Sequence, residues 1–122
     1  MPDVSYSITG RVAKGSLSQS FSASGITADM STAGMLSVTL NLGTSATQVS
    51  TATLGSLGLA FVRSLATAGT HTVSFGRFSG GTLYETVRLK AGEAAVLRLA
   101  SGDYAASAAV SGTRLVLTVY ED

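Results

Sequence analysis

The stretch from Leu83 to Ala100 constrains this chain most, because alternation with a period of two leaves few choices of fold. In LYETVRLKAGEAAVLRLA, Leu83, Glu85, Val87 and Leu89 point one way, and Tyr84, Thr86, Arg88 and Lys90 the other. After Lys90-Ala91-Gly92-Glu93, a second arm places Ala95, Leu97 and Leu99 on one face and Ala94, Val96 and Arg98 on the other. Such alternation marks strands with one buried face. Gly92 can take the positive φ of a tight reversal. The stretch therefore predicts a β-hairpin turning at Ala91-Gly92, with Arg98 across from Arg88 and Lys90.

The same signal recurs along the chain. Val4, Tyr6 and Ile8 alternate with serines and threonine, and a turn at Ala13–Ser16 leads into Leu17–Ala23, an antiparallel partner with a serine-rich outer face. Ser24–Gly34 is irregular and reads as a loop or one helical turn, with Asp29 as its cap or simply in the loop. Leu36, Val38, Leu40 and Leu42 face inward against Ser37, Thr39 and Asn41. Ala46–Thr53 is a weaker strand suited to an edge. Leu59–Val62 is apolar on both faces, as in a central strand. His71, Val73 and Phe75 alternate, and Gly76–Gly81 reads as a loop with Phe78 at its tip. Tyr104–Val110 and Leu115–Tyr120 complete the set, with Glu121 and Asp122 as a charged, exposed end.

About ten short strands at intervals near 8–12 residues predict an all-β antiparallel sandwich, jelly-roll or Greek-key like, with a closed barrel as the alternative. At 122 residues the expectation is a single domain, 1–122. There is no cysteine, which excludes disulfides, thiolate metal sites and a cysteine nucleophile. The N-terminal residues Met1–Tyr6 lack a basic region leading into an apolar one, so synthesis and folding in the cytoplasm are expected. No apolar run is long enough to span a bilayer.

Charged residues make up 12% of the chain, about half the usual share, and mean hydropathy is +0.37. A surface so poor in charge fits a protein covered by neighbours in an assembly better than a free monomer. The net charge of +1 gives no footprint for nucleic acid. Among scattered basic residues the notable group is Arg88, Lys90 and Arg98, which with Tyr84 form the polar face of the expected hairpin. These four are the candidate interface; the alternative is a solvated sheet face.

Chemistry is hard to place. His71 is the lone histidine and sits in an alternating strand, where a structural role outweighs that of metal ligand or general base. Glu93 and Asp103 fall in turns, and a glycosidase would need two carboxyls held across a bond. No nucleophile elbow, phosphate loop or acidic run for calcium is present. The expectation is a non-enzymatic protein with no cofactor and no metal.

Three segments carry a resemblance. Gly58-Leu59-Ala60-Phe61-Val62-Arg63-Ser64-Leu65 is similar to a "GxAFxRNL" strand, with Ser64 in place of the usual asparagine. Val87–Ala100 is similar to an "LKAGE–RLAPG" hairpin. Leu115–Asp122, LVLTVYED, is similar to an "LEYLILED" terminus. Together they resemble small all-β virion structural proteins of tailed bacteriophages, over roughly the C-terminal half of the chain. The resemblance implies a place in the virion, as a capsid decoration or auxiliary protein, and brings no catalytic residues. The implied partners are the major capsid protein or other virion proteins and further copies of this chain, with no nucleic acid and no membrane. A tail, fibre or carbohydrate-binding β-sandwich module is the alternative.

Overall fold

The computed structural model describes residues 2–51 and 53–122, and these form ten strands and no helix. The chain divides into two compact units, Met1–Ser31 and Thr32–Asp122.

The first unit is a two-stranded antiparallel ribbon of β1 (Val4–Lys14) and β2 (Leu17–Ala28). The turn falls at Gly15, whose φ of 59° suits glycine. The register runs from Lys14 opposite Leu17 to Val4 opposite Ala28, shifting between Tyr6 and Ile8. Ser24 and Gly25 provide the extra residue of that bulge, and Gly25 has a φ of 65°. β2 thus continues through much of the segment expected to be a loop or helical turn. Asp29 caps no helix; instead the Asp3 carboxylate accepts a 2.8 Å bond from the Met30 amide and closes the base of the ribbon.

The second unit contains β3 (Met35–Leu42), β4 (Thr47–Val49), β5 (Leu57–Ser64), β6 (Val73–Ser79), β7 (Thr82–Leu89), β8 (Ala94–Arg98), β9 (Tyr104–Ala108) and β10 (Thr113–Glu121). They form two four-stranded antiparallel sheets, ordered β3-β10-β5-β8 and β4-β9-β6-β7. Successive strands alternate between the sheets except at β6–β7, and this interleaving is the jelly-roll order of two Greek keys. The two sheets are open, not one closed barrel. Both supply one core, with Ala60, Val62, Leu115 and Leu117 from the first and Val73, Phe75, Ala106 and Leu89 from the second.

The inward faces of β3, β8 and β10 are those the alternation predicts, and β5 is an interior strand. β4 is an edge strand as expected, though only three residues long; Ala52, within the predicted strand Ala46–Thr53, lies outside the described residues. His71 precedes β6 and lies outside any strand, its amide bonded to the Ala68 carbonyl at 3.0 Å.

The expected hairpin is not formed. β7 pairs with β6, β8 pairs with β5, and the two arms lie in different sheets. The Ala91-Gly92 turn itself is present: the Glu93 amide bonds the Lys90 carbonyl at 3.1 Å and Gly92 has a φ of 75°. It carries the chain from one sheet to the other. The tight hairpin of this region is β6–β7, where Ser79 faces Thr82 across Gly80-Gly81. Both glycines have positive φ, 59° and 78°, as a type I′ turn requires. Phe78 is a half-buried strand residue and not a loop tip.

Candidate functional site

A bulge decides where the candidate interface residues point. In the β6–β7 pair, Phe75 faces Val87 but Gly76 faces Glu85, so Thr86 is the extra residue. Gly76 makes room for it, because a Cβ there would run into the Tyr84 carbonyl oxygen and lie 2.8 Å from the Thr86 nitrogen. The bulge reverses the parity of everything before it. Glu85, expected on the inner face, shares the outer face with Arg88 and Ser74. Its carboxylate pairs with the Arg88 Nε at 2.9 Å and accepts a 2.7 Å bond from the Ser74 hydroxyl. The Ser74 bond, then Arg88, hold the Glu85 carboxyl below its ordinary value of 4.5.

Tyr84 moves to the opposite face. It stands across from Arg77, on the side shared by Phe75 and Val87, and remains 59% exposed at the strand end. Lys90 is exposed beyond the end of β7, where its amide donates to the Glu93 carboxylate at 2.6 Å. Arg98 lies in the other sheet, opposite Leu59, and pairs with Asp122 at 3.0 Å. Tyr84, Arg88, Lys90 and Arg98 therefore do not make up one polar face. The physical reason is twofold: the bulge separates Tyr84 from Arg88, and the sheet change separates Arg98 from both.

The outward side of the β3-β10-β5-β8 sheet is the broader surface. β3 supplies exposed Ser37, Thr39 and Asn41, and β10 supplies half-buried Val116, Thr118 and Tyr120. Phe61 and Val96 pair directly across β5 and β8 on the same side. Ser37 and Thr118 hydroxyls lie 3.1 Å apart, and Phe61 meets Tyr120 edge to face at 5.8 Å between centroids. Ser37, Thr118, Phe61 and Val96 make an uncharged row across all four strands. Charge flanks this row: Arg63, across from Val116, and Arg114 lie on one side, and the Arg98–Asp122 pair on the other. Such a surface suits contact with another neutral surface more than capture of an ion.

Two aromatic and acidic features escaped the sequence reading. Tyr104 is buried and stacks on Phe75 at 5.7 Å, with the Arg77 guanidinium 5.7 Å from its ring centroid. Its hydroxyl donates to the Ala100 carbonyl at 2.7 Å, which satisfies the one polar atom. Glu121 belongs to β10 and is half-buried, so the expectation of a simply exposed end does not hold for it. Its carboxylate accepts a 3.0 Å bond from the Gly55 amide and fills the space beside Gly34 that a Cβ would need. Alternation places Tyr104 in a strand, but the partners of Tyr104 and Glu121 are distant in sequence and leave no mark in local spacing.

Among the described residues, no three His, Asp or Glu side chains gather closely enough to hold a metal ion, and no helix is long and apolar enough to cross a membrane. No family model, curated protein or solved structure matches the chain.

Proposed function

We propose that the chain is a non-enzymatic structural protein of a tailed-phage virion, a decoration or cement protein that coats or stabilises the head through subunit contacts. The observation that supports this reading is the outward side of the β3-β10-β5-β8 sheet, where Thr118, Phe61 and Val96 form one uncharged row across β10, β5 and β8, with Val116 and Arg63 in the next row. A neutral surface of this kind is stabilised when a neighbour covers it. The jelly-roll order is one that capsid domains also use, and the three resembling segments fall on β5, on β7–β8 and on β10. The partners would be the major capsid protein and further copies of the chain, with synthesis in the host cytoplasm.

Jelly rolls also serve as lectin domains, so a tail, fibre or carbohydrate-binding module is the competing reading. It would be served by tyrosines gathered on one concave surface. Here Tyr104 is in the core, Tyr120 packs on Phe61, and Tyr84 stands at the end of β7. Their dispersal counts against the carbohydrate-binding form.

The test is co-sedimentation with purified phage heads. Saturable binding, with a plateau in whole-number ratio to capsomers, is the expected result. Thr118→Lys with Val116→Lys should abolish it while leaving the fold intact. Absence of binding to heads, together with specific hits on a glycan array, would favour the competing reading.

A further inference from the structure

The β1–β2 ribbon carries a need that its own residues do not meet. A lone two-stranded ribbon is marginal in water; three or more strands with an apolar face are needed for independent stability. Its register places Ile8, Val12, Leu17 and Phe21 on one face, with Phe21 across from Gly10. These four are 36%, 53%, 52% and 62% exposed, respectively. The reverse face bears Ser18, Ser20 and Ser22 from β2. Neither strand is paired on its outer side.

Sheet edges are normally blunted by charge, proline, bulges or shortness. In the second unit, β7 has its bulge and its Glu85–Arg88 pair, and β4 and β8 are three and five residues long. β3 is uncharged, but its inward face is already packed against the core. β2 has no such protection from Leu17 to Ala23, where LSQSFSA contains neither charge nor proline before the bulge at Ser24-Gly25.

That segment is self-complementary. Laid antiparallel on a second copy about Ser20, it sets Ser18 against Ser22 and Ser20 against Ser20 on one face. On the other face it sets Leu17 against Ala23 and Gln19 against Phe21. Serine pairs across strands hydrogen-bond, Leu17 packs on Ala23, and the Gln19 stem lies against the Phe21 ring. The antiparallel direction also keeps the two Lys14 residues, each opposite Leu17, at opposite ends, where a parallel arrangement would bring them together; Arg11 lies outboard of Ser20, two strands from the β2 of the second copy.

We propose that β2 is a self-association edge, and that two copies of this chain join through Leu17–Ala23 about a two-fold axis at Ser20 into a four-stranded sheet, β1-β2-β2-β1. The partner is a second copy because the segment laid on its own reverse sets serine against serine at every second position and brings no charge from either strand. The shared edge alone spans roughly 24 Å at about 3.4 Å per residue, short of a standard interface, so the isolated contact is weak and strengthens with concentration. The proposal deepens the assembly reading above. Its test uses the chain alone, so its failure is distinct from a failure to bind heads.

The chain lacks cysteine, which makes crosslinking clean. Directly opposed strand residues have Cα atoms about 4.5–5.5 Å apart, within disulfide reach. Under mild oxidation with diamide, Ser20→Cys should form a covalent dimer at least tenfold faster than Ser18→Cys or Ser22→Cys alone. Mixing Ser18→Cys with Ser22→Cys should restore rapid crosslinking. Sedimentation velocity supplies a second readout: wild type should shift toward dimer as concentration rises, and Ser20→Lys should weaken that shift at least tenfold. Equal crosslinking at all three positions would overturn the proposal, as would a wild-type chain that stays monomeric up to millimolar concentration.

Discussion

Glu121 shows how much one side chain can hold in a fold with so few charges. It joins the end of β10 to the Gly55 amide, and its own amide bonds the Gly34 carbonyl at 2.8 Å. Glu121→Ala should destabilise the chain by about 1.5–3 kcal/mol, the scale of hydrogen bonds to a charged group, measured as a lower urea midpoint. Phe75 is larger in effect, since it is fully buried and stacked on Tyr104; Phe75→Ala should cost about 3–5 kcal/mol in the same assay. Glu85 brings a pH dependence. Its folded-state carboxyl is held below 4.5, so its contribution is present above that pH and is lost as pH falls through the lowered value. The stability difference between wild type and Glu85→Gln should therefore be largest near neutral pH and vanish in strong acid. Arg88→Glu and Arg98→Glu now test separate sheets, because their partners Glu85 and Asp122 are distinct. Head binding should respond to the Arg98 change more than to the Arg88 change.

At the scale of the element, alternation read the strands well and their partners poorly. β3, β8 and β10 have the predicted inner faces because each is a regular run whose period survives intact. β7 does not, because one extra residue at Thr86 reverses its parity, and alternation carries no mark of a bulge. The mark was on the partner strand, at Gly76, a glycine between Phe75 and Arg77 in the interior of β6. Likewise the Gly80-Gly81 pair signalled the true hairpin, while Ala91-Gly92 signalled a reversal without saying which sheet would receive the chain. Pairing is settled by which faces can share a core, a long-range condition that local spacing does not contain. Gly76→Ala should thus cost roughly 1–3 kcal/mol, since its new Cβ meets backbone that cannot swing aside. Gly10→Ala, with open space and an ordinary φ, should stay within about 0.5 kcal/mol. Paired urea melts of the two variants check the contrast.

For the whole molecule, the proposed role rests on composition and surface more than on any motif. Low charge led to the expectation of surfaces covered by neighbours, and the surfaces proposed for that role are the outward side of the β3-β10-β5-β8 sheet and the β2 edge. The interface read from the sequence dispersed, because it relied on one hairpin that the jelly-roll order splits between sheets. Every residue of the core cluster lies between Leu36 and Val119, so residues 32–122 alone should fold and unfold in one cooperative transition. The most direct measurement of the proposed role is the copy number and position of the chain in purified virions from infections that express it. The expected result is a fixed number of copies per capsomer over the head surface, and virions that contain none of the chain would contradict it.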